Sequence, residues 1–346
     1  MKLLWISPWG DGWAMAAKIR DAGNKVVYYC PDPHNKNGLG LLPRASEATW
    51  ENLANKSDLV ICDGVFPSHK TRRSWHPSDM VQRLTQLRKR GVPFVGPTPT
   101  TELITNDERY RQKILTRFAL ESTSPKWVPS FGSAGLRACL SVAPGGSCYL
   151  VIRHRNTWAV GNGPEIGNLG DVVIPLNLQS ELVKRFNKLM EFLQGVQHTS
   201  YSNFSLTISE TNIEINDCSM GFLYPAIFAQ LPDLLSLIFG SNPPTPEVRL
   251  AVSLLDGHAN PDTVADHLLD HDGFFGGEIH KSPETGKIVS HGEFLGAVAG
   301  TGRWPLVQNK VNDHLQSLLR EGWGFRPNIG DTANHILAYL QTHRWI

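Results

Sequence analysis

The stretch Tyr201-Ser-Asn-Phe-Ser-Leu-Thr-Ile-Ser-Glu-Thr-Asn-Ile-Glu-Ile-Asn216 alternates apolar and polar residues with a period of two, the pattern of a half-buried hairpin. It predicts strands over Phe204–Ile208 and Asn212–Asn216, joined by the polar turn Ser209–Thr211. Glu214 and Asn216 stand two residues apart, so both side chains leave one face of the second strand. A carboxylate and an amide oxygen together are hard-oxygen donors suited to a magnesium ion that carries nucleotide phosphates. The same pattern also describes a strand with an ordinary polar solvent face, and E-x-N is too short to choose between the two.

Far upstream the pattern changes. Residues 2–7 form a short apolar run, Pro8-Trp-Gly10-Asp-Gly12 a turn, Trp13–Ala22 an Ala-rich helix stopped by Gly23, and Lys25–Cys30 a second strand. Leu59–Cys62 is another buried strand, ending in Asp63-Gly64, and Pro77–Arg90 and Val92–Val95 read as a helix and a strand. Strands alternating with helices predict a parallel sheet with both faces covered and ligands beyond the strand C-termini. Gly10, Gly12, Asp63 and Gly64 all fall at such ends and mark an N-terminal binding cleft. The loop is not the dinucleotide fingerprint G-x-G-x-x-G, since Met15 occupies its last position. It reads equally as an anion-binding helix N-terminus or as a tight strand-to-helix turn.

Gly96-Pro-Thr-Pro-Thr-Thr101 is a sharp junction, and Asn242-Pro-Pro-Thr-Pro246 a proline-rich break. They divide the chain into an N-terminal domain (1–98), a middle region (99–245) and a C-terminal domain (246–346). The middle region carries a predicted helix over Glu102–Phe118 with Arg109, Arg111 and Lys113, a strand Cys148–Arg153, a flexible loop Asn162–Gly170 and an amphipathic helix Ser180–Gln194. In the last domain, strands over Arg249–Leu254, Gly276–His280 and Glu293–Val298 precede helices over Pro305–Glu321 and Thr332–His343.

Composition narrows the function classes. With 346 residues, 41% hydrophobic and 19% charged, the chain is long enough for two or three globular domains. A net charge of +1 gives no field toward nucleic acid or anionic membrane. The one dense basic cluster, Lys70-Thr-Arg72-Arg73, reads as a solvated loop. Five cysteines without C-x-x-C spacing, and histidines without an H-E-x-x-H grouping, predict buried thiols in a reducing compartment and no zinc site. The apolar run at the N-terminus is too short for a signal peptide, and no run approaches the roughly 20 residues of a membrane span. These readings predict a cytoplasmic protein.

Taken together and in order, the pieces resemble phosphoribosylamine–glycine ligase, of the ATP-grasp superfamily. Ser57-Asp-Leu-Val-Ile-Cys-Asp-Gly64 is similar to the strand before that family's substrate loop, and Val95-Gly-Pro-Thr98 to its entry into the ATP-grasp domain. Ile213-Glu-Ile-Asn216 matches its metal-binding E-x-N strand, and Asp233-Leu-Leu the end of the following helix. Gly277-Glu-Ile-His280, Gly286 to Gly302 and Phe325-Arg-Pro-Asn-Ile-Gly-Asp331 follow its C-terminal sequence. The resemblance implies an α/β ATP-grasp architecture: an N-terminal parallel α/β domain, a shortened central ATP-grasp region and a C-terminal α+β domain.

It also implies a chemistry. ATP would phosphorylate a small-molecule carboxylate, and an amine would attack the acyl phosphate to form an amide. By the resemblance, Glu214 and Asn216 would hold Mg²⁺, and Arg153, at the end of Tyr149-Leu-Val-Ile-Arg153, would contact the ATP phosphates. Gly10, Gly12, Asp63 and Gly64 would line the amine cleft, and Arg326 is a candidate anion contact.

The sequence departs from the family where ATP is gripped. Asp107 or Glu108 stands at the first ATP lysine, leaving Arg109 or Arg111 to substitute, and Arg153 replaces the second. His154-Arg-Asn-Thr-Trp158 follows where a glycine-rich loop is expected, and Asp217 replaces an arginine after E-x-N. Two other readings therefore stand beside the ligase. One is a catalytically degenerate relative that binds a nucleotide, a phosphosugar or a protein. The other is a ligase with a changed substrate, such as a modified nucleotide, with Trp9 and Trp13 either stacking on a ring or packing in the core.

Overall fold

In the strands over Lys2–Ile6 and Leu59–Cys62, alternate side chains enter two separate apolar layers. Leu3, Trp5, Leu59 and Ile61 face one layer; Leu4, Ile6, Val60 and Cys62 face the other. Strands buried on both faces in this way belong to a parallel sheet between helices. The protein is described here by a computed structural model covering residues 1–66, 78–118, 136–144, 146–157, 165–231, 234–235, 247–257, 265–331 and 333–346. The basic cluster 70–73 and Asp233 lie outside them.

The N-terminal part runs β1 (Lys2–Ile6), α1 (Trp13–Asp21), β2 (Lys25–Tyr29), α2 (Trp50–Asn55), β3 (Leu59–Cys62), α3 (Asp79–Lys89) and β4 (Phe94–Val95). Its sheet has the order β2-β1-β3-β4, all pairs parallel. Ser78 caps α3 by accepting the Val81 N–H at 3.2 Å, and Asp79 and Arg88 oppose the two ends of its dipole.

Where one helix was expected over 102–118 there are two, α4 (Pro99–Asn106) and α5 (Glu108–Arg117). Thr98 and Thr101 form a capping box at the start of α4, with Pro99 in its first turn. Asp107 then turns extended and caps α5 by accepting the Tyr110 N–H at 3.1 Å, which is why the helical register breaks there.

The chain continues through β5 (Leu136–Val142), β6 (Cys148–Thr157), β7 (Glu165–Leu176), α6 (Glu181–Lys184), α7 (Asn187–Gly195), β8 (Ser202–Ile208) and β9 (Ile213–Met220). After a 3-10 turn at Phe228–Gln230 come β10 (Val248–Asp256), β11 (Phe274–Gly276), β12 (Ile279–Lys281), β13 (Ile288–Ser290) and β14 (Phe294–Gly302). α8 (Leu306–Leu318), β15 (Trp323–Gly324) and α9 (Ala333–Thr342) complete it.

Nine of these strands form one sheet in the order β11-β14-β10-β7-β6-β5-β8-β9, with β15 beside β10. Strands from before and after the proline-rich segment share this sheet, since β10 pairs antiparallel with β7. One face is covered by α6 and α7, where the Phe186 and Phe204 rings lie 5.2 Å apart. The opposite face meets α4 and α5 through the Met220 N–H on Thr105 Oγ1 at 3.1 Å and the Arg111–Asp217 contact.

The expected flexible loop at 162–170 is corrected. Residues 162–164 lie outside the described set, but 165–170 open β7. Their glycines suggest a loop for a physical reason that points the other way. A Cβ on Gly170 would stand 2.8 Å from the Ala251 carbonyl of β10, so glycine here permits close strand approach. No helix among the described residues is long and apolar enough to cross a membrane.

Candidate functional site

The E-x-N strand is β9, and its geometry adds one residue to the expectation. Glu214 sits opposite Thr207, and Asp217 opposite Ser205, but the register shifts between them. Asn216 is the extra residue of a β-bulge, and its Nδ2 donates to Thr207 Oγ1 at 2.9 Å. The bulge thus brings Asn216 and its neighbour Asp217 onto the face that Glu214 occupies. Asp217 Oδ1 lies 3.6 Å from Arg111 Nε, while Arg111 Nη1 donates to the Thr105 carbonyl at the end of α4 at 2.9 Å. Strict alternation hides Asp217, and nothing in the sequence marks the bulge. Glu214 and Asn216 offer a carboxylate and an amide oxygen on one face, donors of the kind that suit a magnesium ion that completes its shell with water and phosphate.

Arg153 lies on the same sheet face but not beside this pair. β5 and β8 intervene between β6 and β9, which separates Arg153 from Glu214 by roughly 14 Å at about 4.8 Å per strand. Its Nε lies 3.3 Å from Asp171 Oδ1 and its Nη2 donates to the Tyr224 carbonyl at 2.8 Å. Asp171 Oδ2 also accepts the Ala226 N–H at 2.8 Å. The guanidinium therefore holds the segment after β9 against the sheet. Of the other cations, Arg109 is exposed on α5, and Arg326 donates from Nε to Asn328 Oδ1 at 2.7 Å in the loop between β15 and α9.

The segment that Arg153 holds forms one wall of a cleft of about 340 Å³, lined by Asp11, Asn37, Tyr224, Pro225, Phe228, Leu255, Gly277, Glu278, Glu293 and Phe294. Three parts of the chain meet there. Trp13 Nε1 donates to the Gly277 carbonyl at 2.8 Å and the Gly38 N–H to the Ile279 carbonyl at 2.9 Å, docking the N-terminal part on β12. Asn37 Nδ2 donates to the Gly10 carbonyl at 3.2 Å, which fixes the β1–α1 loop beside the cleft.

Beneath the cleft lies Asp63, only 4% exposed. Its Oδ2 accepts Trp5 Nε1 at 2.9 Å and the Tyr224 hydroxyl at 3.1 Å. Burial pushes its carboxyl up to about 7, against the lowering effect of those hydrogen bonds. Asp11, a solvent-exposed residue, is pushed up to about 6, first by partial desolvation and then by the charge of Glu278. Gly12 has no room for a side chain: a Cβ would stand 1.8 Å from Asp63 Oδ2. Gly64 bridges to Gly221, and the Asp63 carbonyl accepts the Phe222 N–H at 2.6 Å. Gly12, Asp63 and Gly64 thus hold the cleft's wall together from behind, while Gly10 turns the loop in front at φ +83°.

The two tryptophans of that loop divide. Trp13 is core, 2% exposed, and Trp9 is 57% exposed. The acids that line the cleft, Asp11, Glu278 and Glu293, are functional candidates that sequence reasoning misses. Asp11 between two loop glycines, and Glu278 inside the family-like Gly277-Glu-Ile-His280, carry the signal that could have found them.

Comparison with models of known protein families gives no match, and none is found among curated protein sequences. Solved structures do match. Phosphoribosylamine–glycine ligase from Thermotoga maritima superposes with a TM-score of 0.66 at 13% identity, over 95% of this chain and 100% of that one. N5-carboxyaminoimidazole ribonucleotide synthetase from Thermus thermophilus gives 0.55 at 12% identity, over 92% and 99%. The biotin carboxylase domain of a single-chain bacterial carboxylase gives 0.54 at 10% identity, over 99% and 100%. The chain therefore has the α/β fold of the ATP-grasp enzymes. Among them, its architecture is similar to that of phosphoribosylamine–glycine ligase, as the sequence motifs suggested.

Proposed function

We propose that this protein is an ATP-dependent carboxylate–amine ligase that forms an amide through an acyl phosphate, working on small molecules in the cytoplasm. The observation that carries the reading is the bulged β9, which sets Glu214, Asn216 and Asp217 on one face with Arg111 against them. Glu214 and Asn216 would hold Mg²⁺, which supplies neutralisation of the charge on the transferred phosphoryl group. Arg111, fixed by Asp217 and the α4 carbonyls, holds positive charge beside them. The cleft under Asp11 and Tyr224 would orient the amine. Positioning and electrostatics are sufficient for this chemistry.

A second reading, a nucleotide- or partner-binding relative without turnover, is favoured by one observation: Arg153 is committed to Asp171 and the Tyr224 carbonyl. Calorimetric titration with a non-hydrolysable ATP analogue, with and without Mg²⁺, separates the two. Magnesium-dependent binding that disappears in Glu214→Gln supports the ligase and justifies screening carboxylate and amine pairs for phosphate release. No binding at millimolar nucleotide overturns it.

A further inference from the structure

A second cavity, of about 260 Å³, lies on the reverse side of the large sheet. Val142 of β5 and Ser202 of β8 line its sheet side, Met190 and Leu193 of α7 and Val183 of α6 the other, and Leu178 its rim, where that side chain is 51% exposed. Which side of the sheet this is follows from β8. Thr207 sits opposite Glu214, and Ser202, an odd number of residues away, faces the other side with Phe204, whose ring packs on Phe186. The sheet therefore stands between this cavity and the donors of the E-x-N strand.

Two residues that line it bury polar atoms without a hydrogen-bond partner. Ser200 is only 3% exposed and its Oγ is unpaired. His198 Nδ1 is buried and unpaired as well. The other ring nitrogen, Nε2, lies 3.3 Å from the Tyr201 carbonyl, so it carries the proton and Nδ1 the lone pair. Burial pushes the ring down to about 4, which keeps it neutral at pH 7. Unpaired polar atoms cost free energy inside a protein, and a hydroxyl group answers both of these: it donates to Nδ1 and accepts from Ser200 Oγ. The described lining residues include no Asp, Glu, Lys or Arg, so a charged molecule would find no counter-ion there.

We propose that His198 and Ser200, with the apolar wall from α6 and α7, form a binding site for a neutral, mainly apolar molecule bearing a hydroxyl group, of the phenol or alcohol class. The site is separate from the one read as holding Mg²⁺ and ATP, and it does not rest on the ligase reading.

The test is titration of the full chain, labelled with ¹³C at its methionine methyl groups, with phenol and with toluene, which has the same shape and no hydroxyl. The chain has five methionines, and Met190 lines the cavity, so its methyl resonance, assigned through Met190→Leu, reports binding at this place. A purely apolar cavity prefers toluene, because phenol must give up its hydrogen bonds to water. Here phenol should bind more tightly than toluene, by about threefold or more. Ser200→Ala should weaken phenol by about three- to tenfold and leave toluene unchanged. Its melting temperature should not fall, since the hydroxyl it removes makes no bond in the folded protein. Toluene bound as tightly as phenol, a Met190 methyl that stays still while phenol binds, or phenol affinity indifferent to Ser200→Ala overturns the site. So does the lack of any phenol binding at millimolar concentration, which would leave a cavity that takes water only.

Discussion

Arg153 and Asp171 face each other across neighbouring strands, Nε 3.3 Å from Oδ1, with Asp171 fully buried and Arg153 nearly so. Both reach the same short segment, Arg153 through the Tyr224 carbonyl and Asp171 through the Ala226 N–H. An ion pair inside the sheet thus fixes a wall of the cleft. Arg153, which the family resemblance would place on nucleotide phosphates, is bonded here to the Tyr224 carbonyl.

Removing one partner of such a pair leaves a charge without its counter-ion. Asp171→Asn should destabilise the protein by about 3–5 kcal/mol, measured by urea unfolding. Replacing both residues with apolar ones of similar volume should cost less than the sum of the two single changes. A strictly additive double-mutant cycle would show that the pair does not couple.

Arg88 has a different kind of anchorage. Its Nη1 and Nη2 donate to the carbonyls of Pro97 and Gly96 at 2.9 and 2.6 Å, and its guanidinium lies 4.1 Å from the Phe94 ring centre. Burial pushes its pKa down to about 10, so the group is a planar fork closing the junction between β4 and α4. Lysine keeps the charge but not the fork. Arg88→Lys should therefore cost about 1–3 kcal/mol, the range of hydrogen bonds from a charged donor. A melting temperature equal to that of the parent would refute this account.

What is legible in the sequence follows its local physics. β1 and β3 are readable because a strand buried on both faces is an unbroken apolar run, and the β8–β9 hairpin because half-buried polar residues alternate with buried apolar ones. The bulge at Asn216 is not, since an inserted residue leaves no compositional trace. The start of β7 reads as a loop because Gly167 and Gly170 break a strand pattern, although Gly170 is there to admit the Ala251 carbonyl. The cleft acids are the hardest case. Asp11 and Glu278 are separated by most of the chain and line one cleft because Trp13 docks on Gly277 and Gly38 on Ile279, contacts that no local pattern encodes.

Gly12 offers a contrast with a glycine needed only for its backbone. A Cβ at Gly12 would lie 1.8 Å from Asp63 Oδ2, 2.4 Å from Trp5 Nε1 and 2.8 Å from the Tyr224 hydroxyl, whereas one at Gly23 meets nothing. Gly23→Ala should cost roughly 1 kcal/mol, because its φ of +91° disfavours a side chain. Gly12→Ala should cost about 2–3 kcal/mol by overpacking and also weaken binding in the cleft. Circular-dichroism melts rank the two, and the reverse order would contradict the packing around Asp63.

Asp63 should leave a signature in the pH dependence of stability. Its carboxyl stands near 7 in the folded protein because burial disfavours the charge, against about 4 in an unfolded chain. Between those values the folded state holds a proton that the unfolded state has released. Stability from this group is therefore fully present below about pH 4, falls as pH rises toward 7, and is level above that. Each tenfold difference in proton affinity between the two states is worth about 1.4 kcal/mol, so the fall amounts to a few kcal/mol. His198 and His291, both pushed down to about 4 by burial, act oppositely, since their stabilisation is lost as pH falls from about 6.5 toward 4. The raw profile is thus a sum, and the difference between the parent and Asp63→Asn isolates the carboxyl. Asparagine keeps an acceptor for Trp5 Nε1 and the Tyr224 hydroxyl but cannot ionise. Urea midpoints at each pH should show the parent losing stability relative to Asp63→Asn between pH 4 and 7. A difference that stays constant across that window would mean Asp63 is already ionised when the protein is folded at pH 4, and that Trp5 and Tyr224 hold it as a carboxylate.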